Sequence, residues 1–103
     1  MRVVVTGARG GLGTALLETF TKAGHTVHPF DKTVFDITDP AMDLIPDFDV
    51  FINNAYDANS GFAQVDLLYK VFEAHKDREC HIITLIPTVY IRQHWKKHPH
   101  NYH

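Results

Sequence analysis

Apolar residues along this chain fall into short unbroken runs separated by stripes at helical spacing. Residues Arg2 to Thr6 read RVVVT, the pattern of a strand covered on both faces. A glycine-rich turn, Gly7 to Gly13, follows. Leu12, Leu16 and Phe20, with Ala15 and Ala23, then recur at helical spacing, and Gly24 supplies a left-handed stop. His25 to Phe30 reads as a second strand with Asp31 at its carboxyl end, and Thr33 to Ile37 as a short third strand. Thr38 or Asp39 can cap a brief helix with Pro40 in its first turn. Asp49 to Asn53 reads as a fourth strand. The loop NAYDANSG leads to a helix capped by Ser60 or Asn59. In that helix Val65, Leu68 and Phe72 form one apolar stripe, widened by Leu67 and Val71. Cys80 to Ile86 is the fifth strand, stopped by Pro87, and Val89 to Lys97 can form one more helix.

The alternation β-α-β-β-α-β with short connections predicts an α/β fold in which a parallel sheet is covered by helices. Right-handed crossovers then give a minimal doubly wound domain of about five parallel strands in the order 3-2-1-4-5. No repeat or linker divides residues 1–103, so one domain is expected. The only composition shift is the polar, histidine-rich segment 88–103.

Composition narrows the partners. The net charge is −2 with histidines neutral, which leaves no basic footprint for nucleic acid or an anionic membrane surface. No apolar run approaches the ~18 residues that span a bilayer. The chain opens directly into a strand, so no secretory leader is expected. Cys80 is the single cysteine, in keeping with a reducing compartment. A cytoplasmic protein is the expectation.

The chemistry concentrates in Thr6-Gly7-Ala8-Arg9-Gly10-Gly11-Leu12-Gly13, between a strand and a helix. Gly7 permits the sharp turn, Gly10 or Gly11 lets a pyrophosphate approach the backbone, and Gly13 lets the helix pack close to the strand. The helix N-terminus offers unpaired N–H groups and a positive dipole end to phosphates, next to Leu12. The same pattern also serves as a tight turn with no ligand. Asp31 lies 24 residues after Gly7, where a carboxylate can accept both ribose hydroxyls of NAD, or cap a turn. Arg9 and Lys32 can instead pair with the 2′-phosphate of NADP, or stand as solvated charges. Asp36 can accept from an adenine amino group while Ile37 covers the ring; alternatively it makes an Asx turn before Thr38. Asn54 and Ala55 fall at the edge where strand order reverses, and Asn53 reads as structural.

Taken together, TGARGGLG, FDITDP (Phe35 to Pro40) and INNA (Ile52 to Ala55) resemble the short-chain dehydrogenase/reductase superfamily. The wording is similar to its extended branch, and to the dTDP-4-dehydrorhamnose reductase group in particular, over residues 1 to about 86. The resemblance implies a Rossmann fold, NAD or NADP as cofactor, and hydride transfer. It also implies a Ser or Thr after the fifth strand and a Tyr with Lys four residues later. Here Ile86 and Pro87 stand where the hydroxyl belongs, so Thr84 or Thr88 would need a register shift. Tyr90 is followed four residues on by His94.

The expectation is therefore an NAD(P)-binding module without a complete catalytic site. Two alternatives remain: a minimal reductase or epimerase acting on a carbonyl or nucleotide-sugar substrate through Thr84, Thr88 and Tyr90, and a non-catalytic assembly or relic domain. His94, His98, His100 and His103 have no carboxylate or thiolate beside them, so no structural metal is expected. The apolar fifth strand and the helix from Phe62 to His75 predict a homodimer.

Overall fold

Successive valines of the first strand point to opposite sides of a sheet, and this pleat sorts the rest of the chain into two layers. The computed structural model describes residues 1–57, 59–60 and 62–85. Its strands are β1 (Arg2–Thr6), β2 (Thr26–Phe30), β3 (Val50–Asn53) and β4 (His81–Thr84). Its helices are α1 (Gly11–Lys22) and α2 (Ala63–His75), with a single 3-10 turn at Met42–Leu44. The sheet is entirely parallel, in the order β2-β1-β3-β4.

Val3 and Val5 join Val50 and Ile52 on one face, where Leu16, Leu17 and Phe20 of α1 pack. Val4 and Phe51 face the other way. They meet Leu67 and Val71 of α2, together with Phe35, Ile37, Ile45 and Phe48 from the 31–48 connection. The two faces follow from strand order. The chain moves outward from β1 to β2, then back past β1 to β3. Right-handed crossovers in opposite directions must cover opposite faces. Leu67 and Val71 are fully buried, and each such side chain contributes about 1.5–3 kcal/mol.

α1 ends as its glycine requires. Gly24 has φ +88°, its N–H donates to Thr21 O, and His25 N–H donates to Phe20 O, a Schellman motif closed by the Phe20–His25 ring contact.

Three expectations need correction. Residues 33–37 are not a strand, so among the described residues the sheet has four strands rather than five, and the order is not 3-2-1-4-5. The physical reason is local. Asp31 Oδ1 accepts from the N–H groups of Thr33 (2.8 Å) and Val34 (3.3 Å), and Asp36 Oδ1 accepts from Thr38 N–H (2.9 Å). These Asx turns take donors that a ladder would need, and Phe35 and Ile37 serve as buried plugs. Secondly, neither Thr38 nor Asp39 caps a helix; the 3-10 turn begins later and has no side-chain cap. Thirdly, α2 is rotated from its expected stripe. Ala63, Gln64, Leu67 and Val71 are buried, whereas Val65 and Phe72 are exposed, and neither Asn59 nor Ser60 is its N-cap. The expected helix at 89–97 lies outside the described residues. No helix among the described residues is long and apolar enough to cross a membrane.

Below the sheet, at the amino ends of the strands, Arg78 lies 4.6 Å over the Phe48 ring and donates from Nε to His75 Nδ1 (3.1 Å). The His75 ring packs on Phe48 at 4.5 Å. Burial, and then the Arg78 charge, hold the His75 pKa below its ordinary value. Above about pH 7 the ring is neutral whether the chain is folded or unfolded. As pH falls through about 6.5 the unfolded chain takes the proton first, so stability is lost. Urea unfolding should therefore show a lower midpoint at pH 5.5 than at pH 7.5, and His75→Phe should flatten that difference. An undiminished slope in the variant would contradict the assignment.

Candidate functional site

The carboxyl ends of β1 and β3 are joined through one hydroxyl. Thr6 Oγ1 accepts from Asn54 N–H and Ala55 N–H, both at 3.0 Å, and donates to Ile52 O at 3.4 Å. Asn54 Nδ2 donates to Thr6 O (3.2 Å) and Gly7 O (3.3 Å). β1 and β3 are also the strands between which the chain reverses direction, the place where open α/β sheets leave a crevice.

The glycines of the turn divide into two kinds. Gly7 has φ +67°, and a Cβ there would stand 3.0 Å from Asn54 Nδ2 and Ala55 Cα. A Cβ on Gly13 would collide with the carbonyl oxygen of Gly7. The fold itself demands both. Gly10 is extended, with φ −68° and ψ 163°, and an added Cβ would come no closer than 3.6 Å to Gly7 O. At Gly11 a Cβ would meet nothing within 4 Å. Packing demands neither. The N-terminus of α1 has no side-chain cap and no acidic residue in its first turn.

At the end of β2, Asp31 is committed to its surroundings. Oδ1 holds the turn, taking the Thr33 hydroxyl and two backbone donors, and Oδ2 pairs with Arg9 Nε at 3.0 Å. The Thr33 hydroxyl, with the backbone donors and Arg9, keeps its carboxyl below the usual carboxylate range. Asp36 is likewise lowered, first by the Thr38 hydroxyl at 2.7 Å and also by Lys32.

These segments enclose an open cleft of about 480 Å³. Its walls are the glycine turn, the 32–37 segment and the 54–59 loop. Of the residues expected to hold a cofactor, Gly7, Gly10, Lys32, Asp36, Ile37, Asn54 and Ala55 line it. Arg9, Gly11, Leu12, Gly13 and Asp31 do not. Arg9 reaches over to Asp31, Leu12 is exposed, and Gly13 is buried against the turn. Phe35, Tyr56, Asp57 and Asn59 line the cleft without having been expected. For Tyr56, Asp57 and Asn59 the sequence signal was the loop NAYDANSG, whose Asp57 accepts from Asn59 N–H at 2.8 Å.

Beyond Asn54, the space over β3 and β4 is filled. Gln64 is buried and donates from Nε2 to Asn53 O (3.1 Å) and Leu85 O (2.7 Å). Asn53 Nδ2 returns a bond to Gln64 O (3.0 Å), a structural role for Asn53. Thr84, a candidate catalytic hydroxyl, does not line the cleft, and its Oγ1 is buried without a hydrogen-bond partner among the described residues. Thr88, Tyr90 and the histidines from His94 onward lie outside the described residues. Among the described residues no group of histidine, cysteine and carboxylate side chains could hold a metal ion.

Comparison with family models, with curated proteins and with solved structures gives no match.

The Thr6 hydroxyl can be tested directly. Thr6→Val keeps the shape but leaves the Ala55 N–H without its acceptor and the Asn54 N–H with Ile52 O alone (3.0 Å), at a cost of about 1–3 kcal/mol. Thr6→Ser should recover most of that loss. Equal stability of Thr6→Val and the parent in urea unfolding would show that the hydroxyl does not join the two strands.

Proposed function

We propose that this chain is a Rossmann-type module of short-chain dehydrogenase/reductase character that binds NAD or NADP. The observation that carries this reading is the division of its glycines. Gly7 and Gly13 are required by close contacts, but no contact requires glycine at Gly10 or Gly11. Glycine is favoured over alanine at the N-cap, the place of Gly10, but inside the helix that Gly11 opens it costs about 0.5–1 kcal/mol relative to alanine. A ligand that must touch the main chain there accounts for it. The uncapped, acid-free N-terminus of α1 suits a pyrophosphate in the same place.

In this reading the pyrophosphate lies over Gly7, Gly10, Gly11 and Leu12 at the start of α1, with the Gly10 N–H itself given to Gly7 O at 3.2 Å. Asp36 and Ile37 take the adenine end, and Asn54 with Ala55 lines the middle. The ribose hydroxyls of NAD would compete with Arg9 for Asp31 Oδ2; a 2′-phosphate would draw on Arg9 and Lys32. When bound, the nicotinamide supplies hydride chemistry. The reading is of binding without ordinary turnover, because Thr84 stands away from the cleft and Tyr90 lacks a lysine four residues on. Self-association completes the proposal. Phe62 at the N-cap of α2 and Val65, Tyr69 and Phe72 on it are all exposed, a stripe suited to a second copy of the chain.

Gly10→Val separates ligand from fold. Thermal unfolding should stay within a few degrees of the parent, while calorimetric binding of NAD+ and NADP+ should weaken at least about tenfold, or 1.4 kcal/mol. Unchanged affinity for both would end the reading. For the dimer, sedimentation should shift from dimer to monomer on Tyr69→Glu; a parent that sediments only as monomer at high concentration would refute it.

A further inference from the structure

We infer that Arg9 makes the site select NADP over NAD, by occupying the one oxygen of Asp31 that the turn leaves open and by offering its own charge to a 2′-phosphate. The inference rests on the dinucleotide reading above and deepens it, because it names which of the two cofactors the site takes.

A carboxylate at the end of the second strand holds NAD by accepting from its ribose hydroxyls. In this chain that carboxylate is already spent. An ionised carboxylate offers about four lone-pair sites. Asp31 Oδ1 takes the Thr33 N–H, the Thr33 hydroxyl and the Val34 N–H, and Oδ2 takes Arg9 Nε at 3.0 Å. The Oδ1 bonds belong to the turn that carries Phe35 into the core and onto the cleft wall, so a ligand that took them would loosen that wall. Oδ2 is what remains, and a ribose hydroxyl would have to displace Arg9 from it. That exchange replaces a charge-assisted pair with a bond from a neutral donor, and the charge-assisted one is the stronger.

A 2′-phosphate makes no such demand. A guanidinium carries five N–H donors in a fork, and the Arg9 side chain is 76 % exposed, so it can present donors to a phosphate while Nε stays on Asp31. The chain puts both partners beside the cleft. Arg9 stands between Gly7 and Gly10, which line it, and Asp31 precedes Lys32, which lines it too. Lys32 adds a second cation at that corner. The charge of Asp31 is met by Arg9 and is not left to repel the phosphate. The carboxylate that reads in sequence as the mark of NAD becomes, in the fold, the group that positions Arg9 for NADP.

The test is calorimetric titration of the full chain with NAD+ and NADP+ at low ionic strength. NADP+ should bind at least about tenfold tighter than NAD+. Arg9→Ala frees Oδ2 and removes the phosphate partner, so NAD+ should tighten while NADP+ weakens. Lys22→Gln removes the same charge from the far end of α1 and should leave the ratio of the parent unchanged. A parent that does not prefer NADP+ by that margin would overturn the inference. So would Arg9→Ala with NAD+ no tighter or NADP+ no weaker than in the parent, or a ratio that falls equally in Lys22→Gln. Each of these leaves the dinucleotide reading standing. Binding of neither cofactor to the parent would overturn the dinucleotide reading itself.

Discussion

One hydroxyl group ties the two central strands together at the end where the cleft opens. Thr6 is buried, and its oxygen uses its full capacity: it accepts from the backbone of Asn54 and Ala55 and donates to Ile52. Those bonds are made just as β3 leaves the sheet, so they set the direction in which the 54–59 loop departs. Asn54 then closes onto Thr6 O and Gly7 O, and its amide and Ala55 stand where a side chain on Gly7 would have to go. The sharp turn after β1 and the loop after β3 are thus one unit. Gly13 extends that unit to α1, since the helix can approach only because no Cβ meets the Gly7 carbonyl.

The second wall of the cleft is built by a different device. After β2 the chain has no further strand to pair with. Asp31 and Asp36 gather their own neighbouring N–H groups, which satisfies the backbone without a ladder. Phe35 and Ile37 are thereby fixed pointing into the core between Phe30 and Ile45, with one side of each left to line the cleft. The same carboxylates that look like ligand groups in sequence are, in the folded chain, the groups that hold the wall in place. Their lowered pKa values record those bonds.

The amino ends of the strands are held separately. Asp49 accepts from Arg2 N–H at 2.7 Å, and this bond leads the causes that lower its pKa. Nearby, Phe48 carries the Arg78 guanidinium and the His75 ring, which closes the C-terminal end of α2 over the core. α2 is consequently fixed at both ends, by Gln64 above and His75 below. Its rotation about its own axis follows from those two anchors rather than from its most apolar stripe. Phe62, Val65, Tyr69 and Phe72 are left outward for that reason.

Periodicity and glycine chemistry determined much of this protein before any coordinate. The run RVVVT allowed only a strand covered on both faces, the spacing of Leu16 and Phe20 allowed only a helix, and Gly24 allowed only its end. Each rests on a local preference that tertiary contacts reinforce. The parallel α/β class and the position of the glycine turn followed from the same signals. The tertiary structure alone decided three things. Residues 33–37 read as a short strand, yet short carboxylate side chains captured donors there first, and no periodicity reveals such competition. The face of α2 was settled by a buried glutamine, which counts as polar in any pattern but is satisfied by carbonyls from β3 and β4. The roles of the glycines were settled by what a Cβ would strike, and that depends on atoms distant in sequence: Asn54 and Ala55 for Gly7, the Gly7 carbonyl for Gly13, and open space for Gly11.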